Sequence, residues 1–241
     1  MKTCIRKITL AAVAALLVLV GAGSALAYSY STATTTGGLS IAWASGGDAS
    51  SLEAGFLSGA SASLTENFEG LAVNTRPGFD IAMGSMTGGG YVAGSAGYQI
   101  PYNEYAISGS KYFSNGNVGG PSGKSSFTLN LDSGWDSVGF YITDPVDIGG
   151  VFDLTVASGG ISETVHMLDL IGTQSSGQVF YFTVLSNSML SSLTFSTSNN
   201  DGYGIDDISV AHTPIPAAAW LLGTGLLGLV ALRSRLRPVL A

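Results

Sequence analysis

The sequence predicts an all-β fold, an antiparallel β-sandwich of jelly-roll-like type between two hydrophobic targeting segments. Apolar and polar residues alternate in the middle of the chain, as in Ser126 to Leu131 and Val138 to Thr143, and a period of two is typical of strands with one buried face. Clusters of Gly, Ser, Asn, Asp and Pro separate such runs, as turns do. Long amphipathic helical patterns are missing from the sequence, so sheets are expected to form the core.

Residues 1–27 have the three parts of a secretory signal peptide. The basic region holds Lys2, Arg6 and Lys7. The apolar run from Ile8 to Val20 follows, and Ala25-Leu26-Ala27 is a small-residue cleavage site, which predicts a mature start near Tyr28. Cys4, the only cysteine, leaves with this segment, so the exported part has neither disulfides nor thiol chemistry.

Residues 28–63 are rich in Ser, Ala, Gly and Thr and are predicted to be a weakly structured lead-in, with one strand near Leu39 to Trp43. Residues 64–211 are predicted to form the folded domain, which is long enough for one core. Residues 76–124 within it are expected to supply long loops and short edge strands. Further strand candidates, rich in β-branched and aromatic residues, lie at 151–156, 164–170, 179–185, 193–197 and 203–210.

The part of the chain between the two targeting segments is strongly acidic. All sixteen Asp and Glu residues lie between Asp48 and Asp207. Only three Lys and Arg residues lie between Tyr28 and Leu232, namely Arg76, Lys111 and Lys124. The formal net charge of this part is therefore −13, which repels nucleic acids and anionic lipids. Such a surface suits either cation binding or simple solubility outside the cell.

Two short elements frame the predicted domain, Glu66 to Gly70 at its start and Gly204 to Val210 at its end. They resemble the opening Phe-Glu-Gly and closing Ile-Asp-Asp-Val strands of bacterial jelly-roll modules, carbohydrate-binding ones among them. The resemblance implies that the two elements lie side by side and that a structural Ca²⁺ sits there. Glu69 with Asp207 is the favoured ligand pair, and Asp206 is the other candidate, since consecutive residues of a strand face opposite sides. The alternative is that these carboxylates are solvated or accept N–H bonds of turns.

Motifs of catalysis do not emerge from the sequence. His166 is the one histidine inside the predicted domain, and no Gly-x-Ser-x-Gly elbow accompanies it. Asn199 to Gly202 fails as an EF-hand and is expected to be a turn, and Gly119 to Ser125 fails as a phosphate-binding loop because Val118 replaces its first glycine. We therefore expect no enzymatic activity.

Aromatic residues are the remaining indication of ligand binding. They are Tyr91, Tyr98, Tyr102, Tyr105, Tyr112 and Trp135. Exposed rings of this kind can stack on sugars, but they can equally cap the core. An exposed aromatic strip on one sheet would favour carbohydrate binding.

The last thirty residues, 212–241, combine a proline pair, an uncharged run to Leu232 and a basic end. The run from Ile215 is just long enough to span a bilayer, which takes roughly 17 to 25 residues, and the basic end is expected on the cytoplasmic side. The basic residues are Arg233, Arg235 and Arg237. This order resembles the PEP-CTERM class of sorting signals in its Val-Pro-Leu-Pro-Ala variant. The matching residues are Thr213, Pro214, Ile215, Pro216 and Ala217.

The resemblance implies that an exosortase-type peptidase of the inner membrane removes the tail and that the protein then reaches the cell surface or the extracellular space. The sequence thus predicts an exported surface or matrix protein with a structural or adhesive role and an extracellular polysaccharide as a candidate partner. Two alternatives stay open. One is a carbohydrate-binding jelly-roll module with structural Ca²⁺, and the other is a plain single-pass membrane-anchored protein.

Overall fold

The computed structural model describes residues 29–94, 103–116, 125–145, 151–172, 174–197 and 201–212. The predicted signal peptide and the predicted sorting helix lie outside these residues. The strands in chain order are β1 (Ser31–Thr34), β2 (Ser40–Ser45), β3 (Ala62–Glu66), β4 (Phe79–Ile81), β5 (Gly84–Gly88), β6 (Tyr91–Gly94), β7 (Lys111–Ser114), β8 (Ser125–Leu131), β9 (Ser137–Thr143), β10 (Phe152–Ser158), β11 (Ile161–His166), β12 (Val179–Leu185), β13 (Leu190–Thr197) and β14 (Gly204–His212). The helices are α1 (Gly47–Gly59) and α2 (Met167–Ile171).

The strands form two sheets in which every pairing is antiparallel. Sheet A has the order β1-β2-β12-β9-β14-β7-β6, and β3 pairs with the second half of β14. Sheet B has the order β11-β10-β13-β8-β5-β4. From β8 to β14 the chain crosses between the sheets at every connection except the β10–β11 hairpin. Neighbouring strands are therefore often distant in sequence, and their pairing could not be deduced from local patterns.

Aromatic side chains join the two sheets in one core. Phe140 of β9 meets Phe195 of β13 edge-on, with ring centroids 5.1 Å apart. Phe113 of β7 meets Phe127 of β8 in the same way at 4.8 Å. All four rings are at most 1% exposed, and each buried ring of this size contributes roughly 1.5–3 kcal/mol. The prediction of an all-β antiparallel sandwich is confirmed.

Residues 28–63 contribute to the fold, although the sequence predicted a weakly structured lead-in. β2 lies between β1 and β12 in sheet A, with Leu39 and Ile41 in the core. α1 packs on β12 and β2 and buries Ala49 and Leu52. The segment has few large apolar residues, so its composition resembles that of a linker. Pairing along β12 supplies the hydrogen bonds that the local sequence does not reveal.

Two further expectations need correction. The sequence predicts no helix, yet α1 has thirteen residues. Small residues on the buried side of α1 weaken its amphipathic pattern, which is why the sequence does not reveal it. The strand predicted over residues 164–170 ends at His166, where α2 begins. Met167 is fully buried there, and Gly172 ends the helix with a φ of +70°, which favours glycine. Within the described part, neither helix has the length and apolar character needed to cross a membrane.

Candidate functional site

The three carboxylates predicted as calcium ligands, Glu69, Asp206 and Asp207, accept hydrogen bonds from one loop. Asp206 Oδ2 accepts hydrogen bonds from the backbone N–H groups of Ile107, at 2.7 Å, and Ser108, at 3.1 Å. Asp207 Oδ1 accepts the Ser108 hydroxyl at 2.6 Å. Both aspartates are therefore bound to the segment that precedes β7.

Glu69 holds the other end of the same loop. Its Oε1 accepts the backbone N–H groups of Ser110, at 2.5 Å, and Lys111, at 2.6 Å. The bond from the Ser110 N–H is the main reason why the pKa of Glu69 lies below its ordinary value. Lys111 Nζ in turn donates to the carbonyl oxygens of Glu69 and Leu71. We name the following set the loop latch: Glu69, Asp206, Asp207 and residues 107–111.

A β-bulge in β14 lets two consecutive aspartates act on one side of sheet A. Asp206 lies opposite Tyr141, but Ser209 lies opposite Gly139, so β14 has an extra residue between these pairs. Asp207 takes a φ of +46° there, which is uncommon outside glycine. Regular alternation along the strand, on which the expectation of at most one inward calcium ligand rests, is broken at this bulge.

The donors around the loop latch do not fit a calcium ion. Ca²⁺ takes roughly six to eight oxygen ligands, whereas at least five of the six carboxylate oxygens of the latch already accept N–H or O–H bonds. Among the residues that the structure describes, no group of three or more His, Cys, Asp or Glu side chains is arranged to hold a metal. Ile107 of the latch packs against the cluster of Tyr141 and Tyr181 on the outer face of sheet A.

Burial raises the pKa of two carboxyl groups, those of Asp206 and Glu104. Asp206 is 1% exposed and Glu104 is 4% exposed. Burial raises the pKa of Asp206 to about 7, although the hydrogen bonds from the backbone N–H groups of the latch lower it. Burial also raises the pKa of Glu104 to about 7, with the nearby Asp144 adding to the effect and the Ser114 hydroxyl opposing it. Both groups carry a proton more readily in the folded protein than in the unfolded chain.

His166, the histidine considered for catalysis, pairs with Asp153 across the β10–β11 hairpin. Its Nδ1 lies 2.7 Å from Asp153 Oδ1, and this hydrogen bond raises the pKa of His166. The imidazole is 58% exposed and lies on the outer face of sheet B. An exposed pair on an open sheet face does not enclose a substrate.

The outer face of sheet B carries a row of threonines, one from each of five neighbouring strands. In register order they are Thr164, Thr155, Thr194, Thr128 and Thr87. Hydroxyl groups are bonded within the row, at 2.8 Å between Thr155 and Thr164 and at 2.9 Å between Thr128 and Thr194. The row is continuous from β11 to β5.

Short polar residues flank this row on both sides. One flanking row is Ser162, Ala157, Ser192, Asn130, Ser85 and Asp80, and the other is His166, Asp153, Ser196 and Ser126. We name the three rows together the hydroxyl face. Its charged groups lie at the margin, in the Asp153–His166 pair and at Asp80 on the edge strand β4. The sequence showed the polar alternation of β8, but only strand register shows that the threonines align.

The aromatic residues considered for sugar binding do not form an exposed strip within the described ranges. Tyr112 is 5% exposed, Tyr91 and Tyr105 are half-buried, and Trp135 packs against His212 with centroids 5.1 Å apart. Tyr98 and Tyr102 lie outside the described residues. In those ranges the largely exposed aromatic side chain is Tyr30, in the segment before β1.

No protein-family model matches this sequence, and no curated protein matches it either. Among solved structures, the chain is similar to the K2 cleaved adhesin domain of Lys-gingipain, with 18% identity over 63% of this chain and 99% of that chain and a TM-score of 0.41. It is also similar to TmCBM61, solved in complex with β-1,4-galactotriose, with 16% identity over 53% of this chain and 87% of that chain and a TM-score of 0.28. Similarities this distant carry no argument about function.

Proposed function

We propose that this protein is an exported, jelly-roll-like sandwich that an exosortase-type peptidase sorts through its tail, and that it has a structural or adhesive role at the cell surface or in the matrix. The observation that supports this most is where the last strand ends. β14 pairs with β9, β7 and β3 and ends at His212, one residue before the Thr213 to Ala217 element. The described strands of the sandwich thus lie upstream of the proposed cleavage element.

Hydrogen bonds and a ring contact fix the C-terminal end of β14 to the rest of sheet A, close to the proposed cleavage element. The carbonyl oxygen of His212 accepts bonds from the N–H of Ser61, at 3.0 Å, and from its hydroxyl, at 3.3 Å. The Ser137 hydroxyl donates to the Ala211 carbonyl at 2.8 Å, and the Trp135 ring packs on the His212 side chain. Cleavage beyond Thr213 would release the tail without loosening sheet A.

The two alternatives differ from this proposal in measurable ways. A plain single-pass anchor keeps the tail and stays in the inner membrane. A carbohydrate-binding module with structural Ca²⁺ would bind calcium as well as sugar, whereas most carboxylate oxygens of the loop latch already accept hydrogen bonds within the protein.

Substitution of the proline pair tests the sorting. We expect the double variant Pro214→Ala/Pro216→Ala to stay in the inner-membrane fraction, because the peptidase would no longer recognise the element. Pro238→Ala, in the same tail but beyond the basic cluster, is the matched control and should reach the surface like the natural protein. Immunoblots of membrane, surface and medium fractions from the native host give the answer. Equal distribution of all three proteins would contradict the proposal.

A further inference from the structure

We propose that the hydroxyl face of sheet B binds an extended, uncharged polysaccharide. This inference deepens the proposed function and rests on it in one respect, since an exported protein meets such polymers outside the cell. It concerns a surface that lies on the opposite sheet from the loop latch.

The hydroxyl face is a regular and preorganised array. Strands lie about 4.7–4.9 Å apart, and residues on one face of a strand repeat about every 6.6–6.8 Å, so the three rows form a grid. Threonine is β-branched and has a restricted χ1, and the Thr155–Thr164 and Thr128–Thr194 bonds restrict it further. Each hydroxyl has one donor and two acceptor positions, so bonded pairs keep capacity for a ligand. Little side-chain entropy is lost when such groups bind.

The face is open to solvent, in contrast to the outer face of sheet A. On sheet A, α1 and residues near the loop latch bury Tyr141 and Tyr181. On sheet B, Thr164 and Thr87 are exposed, while Thr128 and Thr194 are only partly buried by their neighbours in the row. The described helices give sheet B no comparable cover.

Charge favours an uncharged partner. The part of the chain between the targeting segments has a net charge of −13, yet the central row consists of five threonines and carries no charge. Lys and Arg are absent from the three rows, and His166, the one basic side chain in them, is paired with Asp153, so the rows carry no excess positive charge for an acidic polymer. The remaining acidic surface repels one. Hydroxyl groups that both donate and accept match the hydroxyls of a neutral glycan.

The shape of the face indicates an extended ligand. Six strands at that spacing give a width of roughly 24 Å, and the three rows contain no Phe, Tyr or Trp. A single sugar would exchange hydrogen bonds with water for hydrogen bonds with the protein at little net gain. Useful affinity requires many contacts at once. The face therefore selects polymer chains or polymer surfaces over short soluble sugars.

A pull-down with insoluble polysaccharides tests this inference. The full-length protein in mild detergent is mixed with cellulose, chitin, an insoluble β-1,3-glucan and mannan. Insoluble carboxymethyl cellulose resin serves as the charged counterpart of cellulose. We expect the protein to sediment with at least one neutral polymer, equally at low and high salt, and to stay in the supernatant when mixed with the charged resin. Short soluble fragments of the bound polymer should not release it.

Lysines on the face should abolish the binding. Thr128 and Thr155 flank Thr194 on either side, so the variant Thr128→Lys/Thr155→Lys places two charges in the centre of the grid. Contact with a neutral polymer would desolvate them, and we expect about tenfold weaker binding or more. The matched control is Thr32→Lys/Thr34→Lys on the exposed edge strand β1, which should bind normally. Thermal unfolding confirms that both variants are folded.

Three results would overturn the inference. The first is no sedimentation with any of the four neutral polymers, and the second is equal binding by both lysine variants. The third is a dimer in sedimentation equilibrium that only the Thr128→Lys/Thr155→Lys variant disrupts, since the face would then join two copies of the chain. Polymer binding that persists while the tail variants show no sorting would leave this inference standing and remove the sorting proposal.

Discussion

At the scale of single residues, Asp206 connects the chemistry of the loop latch to the stability of the fold. It is nearly fully buried, and its carboxylate accepts N–H bonds from Ile107, Ser108 and Asp207. Its pKa in the folded protein is about 7, against an ordinary value of 3.8. A carboxyl whose pKa is raised on folding stabilises the protein while it is protonated, and this contribution is lost as the pH rises through the folded pKa.

We therefore expect the protein to be more stable at pH 5 than at pH 8. Asp206 and Glu104, whose folded pKa values are both about 7, should each account for a difference on the order of 2 kcal/mol. Urea unfolding at both pH values measures it. Asp206→Asn removes one titrating group and should roughly halve the difference.

Asp132 provides the control for this measurement. It is exposed in the turn after β8, so Asp132→Asn should keep the pH dependence of the natural protein. A protein that is equally stable at both pH values, or more stable at pH 8, would show that these carboxyls are not held as described.

At the scale of elements, α1 is the helix that the sequence pattern does not predict, and it covers the outer face of sheet A. Leu52 and Ala49 pack with Tyr141 and Tyr181, and the Tyr141 hydroxyl donates to Glu53 at 2.8 Å. Gly139 lies directly beneath the Tyr181 hydroxyl, where a Cβ atom would overlap it. The helix and β9 are therefore fitted to each other.

Leu52→Ala should destabilise the domain by about 2–3 kcal/mol, because it removes the main buried anchor of α1 and leaves a cavity. Leu57→Ala is the matched control on the same helix. Leu57 is half-buried and belongs to neither core cluster, so its replacement should cost under about 1 kcal/mol. Denaturant unfolding compares the two. Equal small losses would mean that α1 is not an integral part of the domain.

Element types were more predictable than element partners. The alternation in β8 appears in the sequence because its buried face is lined by large apolar residues, and β12 is recognisable from its β-branched and aromatic residues. The bulge in β14 could not be predicted, since it depends on a left-handed conformation at Asp207 that Asp adopts only occasionally. The threonine row could not be predicted either, because it needs the register of five strands whose order is not that of the chain.

At the scale of the whole molecule, excess negative charge is the main electrostatic feature. Sixteen acidic residues face three basic ones between Tyr28 and Leu232, and such self-repulsion destabilises a compact state. Salt screens it over a Debye length of about 10 Å at 0.1 M. The acidity suits either cation binding or solubility outside the cell, and the carboxylates of the loop latch accept hydrogen bonds from the protein itself.

Calcium chloride distinguishes these two interpretations. We expect added salt to raise the melting temperature by screening, and calcium chloride to do no more than sodium chloride at the same ionic strength. Differential scanning calorimetry of the protein after treatment with a chelator measures both. A further rise that depends on calcium itself would demonstrate a specific site and contradict the assignment of Glu69, Asp206 and Asp207 to the loop latch alone.

The intact mass of the protein recovered from its native host tests the proposed sorting most directly. We expect a chain that begins near Tyr28 and ends close to the Pro214–Pro216 element, since the last described strand ends at His212, just before that element. Such a mass would establish that both ends are processed and that the sandwich is the mature product. A mass that includes Ala217 to Ala241 would contradict the claim and leave a membrane-anchored sandwich.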